Sequence, residues 1–167
     1  MKSSLIQVSY KGILQKIRNK GEKNMSNFSR FMKENKIQKK NEKYAPTKSL
    51  VGEDGKPMEF EFRHLTSRRN EELRESCTVD IPVKGKPNMF RAKLNVSRYL
   101  AEIIAESVVC PDLYNKELQD SYGVMNPTDL LFAMVDDPGE YQDLCIWIQK
   151  FQGFTETLDE KVETAKN

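Results

Sequence analysis

Between Asn95 and Gly153 the chain carries start and stop signals for three short helices, and that stretch limits the fold more than any other. Ser97 to Val108 sets Leu100, Ile103, Ile104 and Val108 at i, i+3, i+4 and i+8, the spacing of one apolar helix face. Asn126-Pro127-Thr128-Asp129 and Asp137-Pro138-Gly139-Glu140 each place a cap residue before a proline at the first helical position, with an acid in the first turn. Asp137 and Glu140 have capping-box spacing, with Asp where Ser or Thr is usual. Tyr141, Leu144, Cys145, Ile148 and Phe151 then form an apolar stripe that stops at Gly153, a natural residue for the left-handed position after a helix. The stretch predicts a compact helical unit with almost no reactive chemistry in it.

The residues before it read as strands. Val51-Gly52-Glu53-Asp54-Gly55-Lys56-Pro57 is dense in turn formers. Met58, Phe60, Phe62 and His64 then alternate with Glu59, Glu61 and Arg63, a strand pattern with one buried face. Thr66 or Ser67 caps a short helix through Leu73, supported by Glu71 and Glu72. Cys77, Val79, Ile81 and Val83 alternate with polar residues and Pro82. Lys84-Gly85-Lys86-Pro87-Asn88 turns the chain, and Phe90, Ala92 and Leu94 alternate on the return. This is a β-hairpin whose Pro82 confines its strand to an edge or a bulge. The expected fold class is α+β, a small antiparallel sheet or hairpin followed by a compact bundle of short helices, with a basic N-terminal arm.

At 167 residues the chain is large enough for one unstapled core, and its 31% charged residues mark some of it as poorly ordered. A near-neutral total hides an asymmetry. Residues 1–45 carry 12 Lys or Arg against 3 Glu, whereas residues 46–167 carry 15 against 22 acids. We therefore divide the chain into a basic arm (1–45), an α+β domain (46–154) and a mobile tail (155–167). A basic arm on an acidic body is the charge distribution of an interaction protein. No apolar run approaches a membrane span or the core of a signal peptide, and three dispersed cysteines suit a reducing compartment, so the expected location is cytoplasmic.

Two readings of residues 1–24 stand open. Lys20-Gly21-Glu22 can be encoded by codons holding the purine-rich signal of a bacterial ribosome-binding site, which would make Met25 the functional start. Alternatively, Leu5, Val8, Ile13, Leu14 and Ile17 form a loose amphipathic helix broken by Gly12. The first reading predicts that deleting residues 1–24 leaves fold and activity intact. From Ser26 to Lys43, Phe28, Phe31, Met32 and Ile37 make a weakly amphipathic segment that becomes helical only when docked. Residues 36–43 read as solvated linker, since the lysines lack interleaved aromatics for base stacking.

A search for an active site returns none. His64, the single histidine, sits on an alternating face where packing is its simplest role, and no positioned partner makes it a general base. Cys77, Cys110 and Cys145 lack the close spacing of a zinc site and read as small core residues. The 8 glycines are scattered, so there is no phosphate cradle, and no Gly-x-Ser-x-Gly turn occurs. We expect no catalytic residue, no metal and no cofactor. Trp147, Phe151 and Phe154, at i, i+4 and i+7, either present a stripe to a partner or widen the buried face of their helix.

Several blocks in order resemble a known family: Glu59 to Thr66 leading into Glu71-Glu72-Leu73, Ser107 to Leu113, Glu117 to Val124, Asp129-Leu130-Leu131, and Pro138-Gly139-Glu140-Tyr141. From Ser26 to Phe154 the chain resembles the tail assembly chaperones of phages and defective prophages of Gram-positive bacteria, the XkdN-like group. The resemblance implies a small cytoplasmic, non-enzymatic protein that binds the tape measure protein and tail-tube proteins during tail construction and is absent from the finished particle. It brings no catalytic residues, and some members are also made in a longer frameshifted form. The expected partner surface is Trp147, Phe151 and Phe154, with Phe28 and Phe31 as a second contact. The alternative is a small phage-encoded nucleic-acid-binding or regulatory protein using the basic arm. Oligomeric state is not set by these residues.

Overall fold

A computed structural model describes residues 27–86 and 88–154. Both readings of residues 1–24, and the tail from Thr155, lie outside the described residues. The rest divides at Gln38/Lys39 into two units. In the first, two 3-10 turns, Asn27–Phe31 and Lys33–Asn35, stand where a docked helix was expected. Phe28 and Phe31 are 73% and 86% exposed.

Among the described residues the second unit holds five strands and five helices. A three-stranded antiparallel sheet has the order β1 (Glu42–Tyr44), β2 (Phe60–Phe62), β5 (Val108–Cys110). A separate hairpin pairs β3 (Thr78–Pro82) with β4 (Phe90–Leu94). The helices are α1 (Ser67–Ser76), α2 (Val96–Ser107), α3 (Lys116–Ser121), α4 (Pro127–Met134) and α5 (Pro138–Gln152). The architecture is α+β.

Local signals set the helix starts. Thr66 accepts the Arg69 N–H, Asn95 that of Arg98, Asn126 that of Asp129, and Asp137 those of Gly139 and Glu140. Pro127 and Pro138 occupy the first turn of α4 and α5, where the missing N–H costs nothing. Gly153 (φ +90°) ends α5 in the left-handed region. Its N–H reaches Lys150 O and the Phe154 N–H reaches Gln149 O, the paired closure of a Schellman motif. The Asp137 box is only half made, because the Glu140 carboxylate accepts from the Lys48 N–H.

α2 is the central helix. It packs against α1, α4 and α5, and buries Tyr99, Leu100, Ile103 and Ile104. Phe60, Phe62, Leu113, Leu130, Leu131, Leu144 and Ile148 complete the fully buried core.

Four local expectations need correction. Only Phe60–Phe62 of the Met58–His64 alternation pairs as strand, and Met58 is exposed. Val108 leaves the helix to open β5, where the β-branched pair Val108-Val109 joins β2 and the chain exits through a cis Cys110–Pro111 bond. α3, capped by Asn115, adds a fourth helix to a stretch that signalled three. Glu42–Tyr44, read as arm and linker, is the edge strand beside β2, with Tyr44 opposite Phe60.

The hairpin forms as expected. Gly85 (φ +79°) and Asn88 (φ +63°) supply the left-handed positions of its turn. It has no deeply buried face, since Cys77 is buried at the end of α1 while Val79 is exposed.

Candidate functional site

Four rings stack along one side of the second unit. Tyr44 of β1 lies on Trp147 of α5, with centroids 4.5 Å apart and an interplanar angle of 14°. Trp147 stacks on Phe151 one turn later, at 5.0 Å and 7°, and Phe151 on His64 at 4.0 Å and 22°. Phe62 meets Trp147 at a tilt of 60°. Helix spacing aligns Trp147 with Phe151, while β1, β2 and the segment after β2 deliver Tyr44, Phe62 and His64. Trp147, Phe151 and Phe154 are half-buried against the core. Of the residues anticipated as a partner surface, these three share one helix end. Phe28 and Phe31 belong to the first unit.

His64 closes the ladder. Its Nδ1 is buried without a hydrogen-bond partner. Burial and nearby Lys39 hold its pKa below the usual 6.5, with Glu42 opposing. Such an imidazole is a packing group that resists protonation. Burial, with Asp143 and Glu140 nearby, raises the Tyr44 phenol in the same way.

Two polar clamps frame the ladder, and neither is visible in sequence. Gln152 accepts from the Leu65 N–H at 3.0 Å and donates to Arg63 O at 3.1 Å and Ser107 Oγ at 2.9 Å. Glu106 holds Arg63 and Arg69, each at 3.0 Å, and Arg69 also meets Glu72. Its hydrogen bonds to Glu106 and Glu72 raise the Arg69 pKa further above the guanidinium range.

On another part of the surface, α2, α4 and the loop before α3 border an open groove of about 670 Å³. Ala101, Tyr114, Pro127 and Phe132 give it apolar lining, and Arg98 and Glu102 bring charge. Phe132 is 46% exposed, and Met125, beside the lining Asn126, is 88% exposed. The sequence reading missed this groove, because its apolar side chains come from three elements and none forms a stripe alone.

Among the described residues no three His, Cys, Asp or Glu side chains group as a metal site. Cys77 is buried, Cys145 half-buried and Cys110 exposed, so the last is not the core residue expected. No described helix is long and apolar enough to cross a membrane.

This α+β body carries two distinct surface features, the ring ladder along α5 and the open groove between α2 and α4. Residues 28–166 match the family of phage XkdN-like tail assembly chaperone proteins, and the chain belongs to that family. It is 29% identical over 147 residues to the phage-like element PBSX protein XkdN of Bacillus subtilis (strain 168), covering 86% of this chain and 96% of that one. It is 30% identical over 124 residues to YqbN of the same organism, covering 72% of this chain and 80% of the relative. A crystal structure of the protein YqbN superposes with a TM-score of 0.64, at 24% identity over 78% of this chain and 99% of that chain, a likeness of fold.

Proposed function

We propose that this phage tail assembly chaperone is non-enzymatic and acts in the cytoplasm, binding the tape measure protein and tail-tube proteins and leaving before the particle is finished. A long helix-prone chain exposes apolar stripes that aggregate unless covered. The observation that carries the reading is the groove between α2 and α4, with Tyr114, Met125 and Phe132 open around it. An amphipathic helix fits such a groove through anchors at i, i+3 and i+4. The surrounding half, residues 95–154, has 3 basic residues against 10 acidic ones, a bias that discourages self-association. We place the main contact at this groove. Phe28, Phe31 and the exposed edges of Trp147, Phe151 and Phe154 are secondary contacts.

The test is co-expression with the tape measure and tail-tube proteins of the same genetic element, followed by pull-down at two salt concentrations. Phe132→Ser with Tyr114→Ser should stay folded, with some loss of thermal stability because Phe132 meets the Tyr141 ring and Tyr114 donates to Glu106, and should lose the tape measure protein. Undiminished capture by that folded variant would move the site elsewhere. Recovery of the protein at fixed stoichiometry in finished particles would make it a structural subunit. Capture of nucleic acid in place of tail proteins, with affinity falling steeply as salt rises, would transfer the function to the basic arm.

A further inference from the structure

We propose that the outer edge of β4 docks an extended, acidic segment of a partner polypeptide. The register shows which backbone groups are open. Val83 donates its N–H to Met89 O, and Asn95 donates to Cys77 O, both at 2.9 Å. Between these pairs lie Ile81↔Arg91 and Val79↔Lys93 in the same register. Bonded and non-bonded pairs alternate along an antiparallel ladder, so Arg91 and Lys93 direct their N–H and C=O groups toward β3. Phe90, Ala92 and Leu94 direct theirs away from it. Among the described residues no strand pairs with that side. On β3 the outward positions are Thr78, Asp80 and Pro82, and Pro82 has no N–H to offer. Of the two hairpin strands, β4 is the one that presents an uninterrupted edge.

The side chains select the occupant. Thr78 to Leu94 carries Lys84, Lys86, Arg91 and Lys93 against one acid, Asp80, on a chain whose helical half is acidic. Arg91 and Lys93 share a face with Ile81 and Val79, while Phe90, Ala92 and Leu94 take the other. A strand added to β4 therefore suits alternating residues: acids beside Arg91 and Lys93, apolar or small side chains beside Phe90 and Ala92. Two copies of this edge would bring like charges together, and basic residues on an open edge are a device against such self-pairing. Phe90 is 64% exposed and Val79 45%. A two-stranded ribbon is marginal in water, and a third strand stabilises it. Duplex DNA would satisfy the charges and leave the backbone edge unused.

Amide hydrogen exchange by NMR on the full chain tests it, with three probes: a short Glu-Val alternating peptide, its Lys-Val counterpart and a short duplex DNA. The Glu-Val peptide should slow exchange at Phe90, Ala92 and Leu94 by roughly tenfold, and the Lys-Val peptide should not. Ala92→Pro removes an outward N–H without touching a β3–β4 bond and should abolish the protection. Arg91→Glu with Lys93→Glu should reverse the peptide preference, and this pair carries the test if the proline unfolds the ribbon. No protection at the three amides, equal protection by both peptides, or a response to DNA alone would overturn the proposal.

Discussion

Tyr44 lies flat on Trp147, with ring centroids 4.5 Å apart, and this pair joins β1 to α5. Neither residue signals the other in sequence. The contact turns Glu42–Tyr44 from a stretch of basic arm into part of the body, and it covers one face of the indole.

Replacing Trp147 with Ala should destabilise the protein by about 3 kcal/mol, because the ring packs between Tyr44 and Phe151 and against Phe62. Tyr44→Ala should share part of that loss. A double-mutant cycle in urea should return a coupling of about 1 kcal/mol, as for stacked aromatic pairs. Strict additivity of the two changes would deny the stack any energetic role.

Gln152→Ala should cost about 2 kcal/mol, since it strips partners from the Leu65 N–H, the Arg63 carbonyl and Ser107 Oγ together. Gln152→Glu should be nearly as harmful, because a carboxylate cannot donate to the Arg63 carbonyl. Thermal unfolding of the two variants checks both statements.

His64 gives a pH dependence of known sign. Its folded pKa lies below 6.5, so the unfolded chain binds more protons in the window between the folded value and 6.5. Stability should therefore be complete above that window and fall as pH drops through it. His64→Phe should flatten the fall while keeping the stack on Phe151. An unchanged pH profile in that variant would assign the titration to other groups.

Gly153→Ala should destabilise by about 1 kcal/mol, because a Cβ at φ +90° is strained even though open space surrounds it. Gly153→Asn should lose less. Circular dichroism melts read the difference directly.

Legibility followed the range of the interaction. Asn126 with Pro127, and Asp137 with Pro138, were readable as helix starts because the cap acts within three residues of itself. Glu140 was readable as a first-turn acid, but its partner Lys48 lies far back in the chain. The hairpin turn was plain from Gly85 and Asn88, yet the ribbon's exposure was not, since alternation reports two faces without saying what covers either. Val108 matched a helix stripe and still entered β5, where pairing with Phe62 overrode the periodicity.

The sequence by itself determined where α4 and α5 start, where α5 stops at Gly153, where the hairpin turns and how charge divides along the chain, because each depends on neighbouring residues or on composition. Only the tertiary structure decided that Tyr44 covers Trp147, that Gln152 ties α5 to the segment after β2 and to α2, that Tyr114 and Phe132 share a groove, and that β4 keeps an open edge. Those contacts join residues distant along the chain. Their formation depends on the collective burial of the core around α2, which no local pattern encodes.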